Sequence, residues 1–454
     1  MASITRLVDG RGGLPNVPLS FYICSHMRPY MLVFLVAACA RTVPPAPTGA
    51  GGSRTMAFTN ASWLGPGGFE RGTRYVVARR ITTDRPARVD TTIDLAGGFV
   101  VPPFGEAHNH NIDFSTEART DSVIGRYLRD GVFYVRNPGN VPRARAALRG
   151  RINVPNGVDA IFSHGLLTAT GGHPSGLYQR NLARGAMTEA DGDGGFLWLI
   201  DSLPDLNRKW PRILEGRPEF IKVVLVHSEH YAERRADTAW FNWKGLDPAI
   251  VPEIVQRAHA AGLRVTAHIE TAADFRAAVA AGVDEIAHMP GFRGDERTSL
   301  PDPRIFELTP DDARNAARRA IVVVTTLGGI AGLPPEGPTG ALRRRADSLH
   351  VRNLRTLREA GVQLAVGSDA YRDDSREEVR YLATLGVFSE LDLVRLWSES
   401  TPRAIFPRRR VGCLSTGCEG SFVVLRSDPS RDVTRVDDIM LRVKDGIILR
   451  AVAR

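Results

Sequence analysis

Apolar residues between positions 99 and 370 fall in short runs, and most runs end at glycine, proline or a polar residue able to do chemistry. The runs are FVVPPFGEAHNH, DGVFYVRN, DAIFSHGLL, EFIKVVLV, LRVTAHIE, DEIAHMP, AIVVVTTL and VQLAVGSDA. Short apolar stretches rich in β-branched residues and bounded by turn signals read as strands. Between them lie segments with apolar positions at helical spacing. DPAIVPEIVQRAHAAGL closes at Gly262, and RNLRTLREAG closes at Gly361. TPDDARNAARRA opens on Thr309 as a cap, with Pro310 in the first turn and two early acids. Eight such alternations predict an α/β protein whose parallel strands form a (β/α)8 TIM barrel over residues 102–404, with chemistry on the loops that follow the strands.

The flanks read differently. Residues 56–101 (MAFTNASWL, GPGG, TRYVVARRIT, TTIDLAGGFVV) and 405–454 (SFVVLRSD, DIMLRVKDGIILRAVAR) lack helical periodicity, and Lys444-Asp445-Gly446 reads as a hairpin turn. The two ends are expected to pair into one small β-sandwich domain.

Residues 1–38 read as a signal segment, with Met27 as a candidate true start. Arg28 follows it, then the apolar stretch Tyr30–Ala38, and LVAAC resembles a bacterial lipoprotein signal with Cys39 as the lipidated residue. The stretch is shorter than the about 20 apolar residues a membrane span needs. Residues 39–55, rich in Pro, Gly and small residues, read as a flexible tether. A periplasmic lipoprotein, on the membrane through its lipid alone, is the expectation; a chance apolar stretch in a cytoplasmic protein is the alternative. Cys413 and Cys418 flank the turn LSTG and would suit a disulfide in an oxidising compartment, with two free thiols as the alternative.

The net charge of +9 comes mostly from arginine, which supplies 55 of the 59 basic residues. No basic run with interleaved aromatics stands out, so no nucleic-acid partner is expected. Lysine occurs at four positions only, and one of them, Lys222, lies inside EFIKVVLV. A buried ammonium is costly unless paired, so this position demands a reason.

The reason lies in the order of polar residues at the run ends: His108 and His110, Lys222, His268, His288, then Asp369. Imidazole nitrogens and a carboxylate are ordinary ligands of divalent metal. With the segments IDLAGGFVVPPFGEAHNHN, AHAAGLRVTAHIETAADFRAAVAAGVDEIAHMP, GVQLAVGSDA and VGCLSTGCEGSFVVL, the chain from about Met56 to Arg454 resembles the amidohydrolase superfamily, in particular its imidazolonepropionase-like and prolidase-like metal-dependent hydrolases.

The resemblance implies a binuclear centre of two divalent ions, zinc first, with manganese, iron or cobalt able to substitute. By position, His108, His110 and Asp369 would hold one metal and His268 and His288 the other, with Lys222 as a carboxylated, bridging ligand. Two cations close together need an anionic bridge, and a carbamate on a neutral lysine amine supplies one. The implied reaction is hydrolysis of a C–N bond in a small substrate, such as a dipeptide or N-acyl amino acid, by water activated between the metals, with Asp369 as general base and acid. Glu106 stands where the family commonly has aspartate. His173, after Thr170-Gly171-Gly172, and His230 and Tyr231, after Lys222, are candidate substrate contacts; Arg136 is a weaker one. His164, His259 and His350 read as structural. A lactone, cyclic amide or organophosphate substrate on the same centre remains an alternative, as does a non-catalytic binding lipoprotein. The oligomeric state, a homo-oligomer included, is left open.

Overall fold

A computed structural model of the chain describes residues 54–112, 117–141, 147–291, 302–328, 340–370 and 373–449. The signal segment, Cys39 and nearly all of the tether lie outside the described residues. Among the described residues, no helix is long and apolar enough to cross a membrane.

The amino-terminal flank forms β1 (Met56–Gly65), β2 (Gly68–Val77), β3 (Arg80–Thr82), β4 (Thr91–Asp94) and β5 (Phe99–Val101). The central region supplies β6 (Phe104–Glu106), β7 (Val132–Asn137), β8 (Asp159–Phe162), β9 (Leu166–Thr168), β10 (Leu197–Leu199), β11 (Phe220–Val224), β12 (Arg264–His268), β13 (Glu285–Ile286), β14 (Val322–Val324) and β15 (Gln363–Ala365). The carboxyl-terminal flank adds β16 (Phe422–Leu425), β17 (Ile439–Lys444) and β18 (Ile447–Ile448).

The two flanks meet in one mixed sheet, ordered β18-β17-β16-β5-β1-β2-β3 with β4 against β1. The seam is the antiparallel β5–β16 pair, with Val100 opposite Val424. Phe422 packs edge-on against Phe58 and Trp63, at 4.8 and 5.3 Å between ring centroids, and all three are buried. At the β17–β18 turn, Asp445 and Gly446 both take positive φ, 51° and 74°. That is the handedness a two-residue hairpin loop needs to match strand twist.

The central strands are all parallel. They form a three-stranded sheet, β6-β7-β8, and a seven-stranded sheet, β10-β9-β11-β12-β13-β14-β15. Every residue of β7, β11 and β14 is buried, as expected of strands covered on both faces. Backbone hydrogen bonds join the seven-stranded sheet to both edges of the three-stranded one. Glu219 N donates to Phe162 O at 2.9 Å; on the other side Ala107 N donates to Val366 O at 2.9 Å and Asp369 N to His108 O at 2.7 Å.

The run DAIFSHGLL, expected as one strand, is broken into β8 and β9. His164 sits at φ 63°, and Gly165 passes so close to Trp198 that a Cβ there would lie 2.6 Å from the indole. Only glycine fits that approach.

Helices flank the strands where the caps predict them. Thr309 and Thr271 each complete a capping box, for helices Pro310–Arg318 and Ala272–Ala281. The helix expected around RNLRTLREAG begins much earlier and spans Gly340–Glu359. A buried ion pair, Lys444 to Asp159 at 2.8 Å, ties β17 of the mixed sheet to β8.

Candidate metal centre

Parallel strands deliver their carboxyl ends to one side, and the six residues read as ligands lie in or just beyond those ends. His108 and His110 follow β6, Lys222 lies within β11, His268 ends β12, His288 follows β13 and Asp369 follows β15. All six line one cavity of about 680 Å³.

The geometry groups them closely. The ligand atoms of His108, His110 and Asp369 lie within 4.8 Å of one another. Asp369 Oδ1 is 3.2 Å from His110 Nε2 and 3.6 Å from His108 Nε2, and Oδ2 is 3.9 Å from His288 Nδ1. Ring centroids are 4.6 Å apart for His108–His288 and 4.5 Å for His268–His288. Lys222 is 1% exposed, in the wall beside them.

Local structure fixes these positions. Glu106 is fully buried and joins the two strand ends that carry His108 and Asp369. Its Oε1 accepts from His108 N at 3.1 Å and Ser368 N at 2.9 Å, and its Oε2 accepts from the Ser368 hydroxyl at 2.7 Å. Burial pushes its carboxyl up to about 8, against those hydrogen bonds. The buried glutamate thus clamps the loop. Gly367 permits the close approach, since a Cβ there would lie 2.8 Å from His108 N.

Burial, then the Lys222 charge, hold the His108 imidazole well below its ordinary range. It is therefore neutral, the form that ligates metal. His288 Nδ1 lies 2.7 Å from the Thr326 hydroxyl, which leaves Nε2 for a metal in the usual arrangement of a ligating histidine. Glu270 brings a further oxygen donor, 3.1 Å from His268 Nε2. The clustered imidazole nitrogens and carboxylates fit divalent cations.

The remaining candidates divide. His173 lines the cavity and stacks on His268, at 4.5 Å between centroids. His230 and Tyr231 are not among the described residues lining it. His230 is largely exposed and faces Glu233 at 3.2 Å. The chain turns away because Asp274 accepts from His227 N and Ser228 N, which pins the turn after β11 to helix Ala272–Ala281. Arg136 pairs with buried Glu285 and donates to Ala404 O, away from the cavity. His259 pairs with Asp284 at the surface, and His164 marks the β8–β9 break. Cys413 and Cys418 are joined by a disulfide, in a loop rather than between strands.

Among the charged and titratable lining residues, Glu270 and Arg180 escaped the sequence reading, and His350 was read as structural. Glu270 had a usable signal, since it lies two residues beyond His268 and so shares its face of an extended chain.

No protein-family model and no curated relative matches the chain. Solved structures do. An amidohydrolase aligns at 20% identity over 88% of this chain and 100% of its own, with a TM-score of 0.66. A prolidase in complex with N-methylphosphonate-L-proline aligns at 19% identity over 87% of this chain and 99% of its own, with a TM-score of 0.64. A Xaa-Pro dipeptidase with methionine bound in its active site aligns at 15% identity over 87% of this chain and 100% of its own, with a TM-score of 0.65. The chain is thus an α/β protein of parallel sheets. More particularly, its fold is that of the amidohydrolases and prolidases.

Proposed function

We propose that this chain is a metal-dependent hydrolase that cleaves the C–N bond of a small amide, of the dipeptide or N-acyl amino acid class. The observation that carries this reading is the convergence of four histidines, Lys222 and Asp369 on one cavity at the strand ends. The solved prolidase and dipeptidase of the same fold support the substrate class.

In this reading His108, His110 and Asp369 hold one divalent ion and His268 and His288 a second, with zinc the expected metal for this nitrogen-rich set. Lys222, carboxylated, would supply the anionic ligand that two such cations need. When bound, such a pair lowers the pKa of water and polarises the scissile carbonyl. The chain's own work follows from position. Asp369 orients the attacking water, takes its proton and returns it to the leaving amine. Glu106 holds the His108 and Asp369 backbones together during that exchange. His173, stacked on His268, presents a ring edge to the substrate.

Closure of the parallel strands into one (β/α)8 barrel, and folding of the mixed sheet into a sandwich, belong to the same reading. The hydrogen bonds at both edges of the three-stranded sheet support the closure. Export and lipid anchoring at Cys39 are proposed from LVAAC alone; the intact mass of the exported protein tests them, and retention of residues before Cys39 would refute them.

The function itself is tested by metal analysis together with hydrolysis of Xaa-Pro dipeptides and N-acyl amino acids. About two metals per chain and turnover are expected, and Asp369→Asn should abolish turnover while much of the metal stays bound. A metal-free, inactive purified protein, or full activity in Asp369→Asn, would overturn the reading.

A further inference from the structure

One buried histidine of the cavity wall is unused by that chemistry. His350 lies in the middle of helix Gly340–Glu359, is 1% exposed, and lines the cavity. Its Nδ1 is 2.8 Å from the Tyr381 hydroxyl. Tyr381 in turn donates to Asp347 Oδ1 at 2.6 Å, and Asp347 accepts from Arg343 Nε at 2.8 Å.

This chain of contacts fixes every proton in it. Asp347, paired with Arg343, is an acceptor only. The single Tyr381 proton therefore goes to Asp347, and the Tyr381 oxygen accepts from His350. His350 must carry its proton on Nδ1, which leaves Nε2 as a bare lone pair. That atom is buried and has no hydrogen-bond partner among the described residues. It faces Gly291 of the cavity wall, where a Cβ would lie 3.5 Å away. Burial keeps the imidazole neutral by pushing it down to about 4, and burial and the bond to Asp347 raise Tyr381 so that it keeps its proton.

From this geometry we infer that His350 Nε2 is a specificity element, an acceptor built for one neutral O–H or N–H donor on an otherwise apolar substrate group. Leu327, Leu342 and Met289 line the same cavity, which suits an apolar body. A neutral donor fits better than an ammonium, because the Arg343 charge already acts on His350. An aromatic acyl group with a hydroxyl or an indole N–H has this chemistry. A buried acceptor left unpaired is costly, so a site of this kind discriminates against analogues that lack the donor. This inference deepens the proposed hydrolase reading and rests on it for the identity of the ligand as substrate.

The test compares kcat/KM for pairs that differ by one donor, Tyr-Pro with Phe-Pro and Trp-Pro with 1-methyl-Trp-Pro, in the wild-type protein, His350→Leu and Tyr381→Phe. The wild-type protein should favour the donor-bearing member of at least one pair by about tenfold or more. The preference should fall to near parity in His350→Leu and shrink in Tyr381→Phe. Unequal preference that survives in His350→Leu, or no preference in the wild-type protein, would overturn the inference.

A second arm needs no turnover. In the 15N-histidine-labelled full chain, the signal absent from His350→Leu should show a protonated Nδ1 and a pyridine-like Nε2 at neutral pH. A proton on Nε2 would refute the inference whether or not any dipeptide is cleaved. Absence of hydrolysis with the expected tautomer would instead count against the substrate class alone.

Discussion

Glu106 offers the sharpest test of how the centre is held. Replacing it with alanine removes the acceptor shared by His108 N and Ser368 N, in a place with no access to water. The Ser368 hydroxyl also loses its acceptor, since Asn109 Nδ2 and Ala370 N only donate to it, but it is a rotor and can turn. The two backbone amides cannot. Each buried donor left unpaired costs about 1–3 kcal/mol, and the vacated volume adds about 1 kcal/mol more. Glu106→Ala should therefore lower stability by roughly 3 to 7 kcal/mol, a large share of a typical 5–15 kcal/mol. Glu106→Gln keeps the shape and one carbonyl oxygen facing both amides, so it should cost about 1 kcal/mol or less. Urea unfolding of the metal-free protein at pH 6 measures both variants, and metal analysis of the native forms shows the consequence. The alanine variant should lose metal and the glutamine variant should largely keep it. Equal stability of the two, or full metal content in Glu106→Ala, would show that the clamp does not position His108 and Asp369.

Three further outcomes follow from the same structure. Lys222→Met keeps the length and removes the amine, so metal content should drop from about two toward one or none per chain; two retained metals would exclude Lys222 as a ligand. Lys444→Met breaks the buried pair with Asp159, 2.8 Å apart, while Arg409 still reaches Asp159 at 2.7 Å, so a loss of about 3 kcal/mol in urea unfolding is expected, and an unchanged midpoint would contradict it. His350 is held near 4 in the fold against an ordinary 6.5, so the unfolded chain binds its proton first as pH falls. Its contribution is complete above 6.5 and is lost as pH drops through 4, roughly 2 to 3 kcal/mol between pH 7 and 4.5. The acid slope of His350→Leu should be shallower than that of the wild-type protein, and identical slopes would refute the assignment.

What was legible in the sequence and what was not divides along one physical line. The candidate ligand residues were visible because each is a local anomaly, a polar group in or at the end of an apolar strand. Strand ends converge by topology, so their neighbours in space could be inferred without coordinates. Lys222 is the extreme case: a lysine inside a wholly buried strand requires a compensating group nearby. His350 showed no such anomaly. A histidine on the inner face of a helix fits packing as well as binding, and its meaning depends on Tyr381, 31 residues away on another helix. The same holds for what misled. His230 and Tyr231 follow a ligand strand and so looked like cavity residues, but the path of that loop is set by Asp274 from a later helix. The β8–β9 break likewise depends on Trp198, which arrives some thirty residues after the strand it interrupts. On the proposed reading, reaction chemistry is written into strand ends and is readable one segment at a time, and substrate selection into contacts between helices and loops. A substitution at Tyr381, which lies on a helix outside the strand ends, should therefore change which substrates are accepted while leaving the metal content unchanged. If metal were lost instead, the separation between a strand-borne centre and a helix-borne specificity element would not hold.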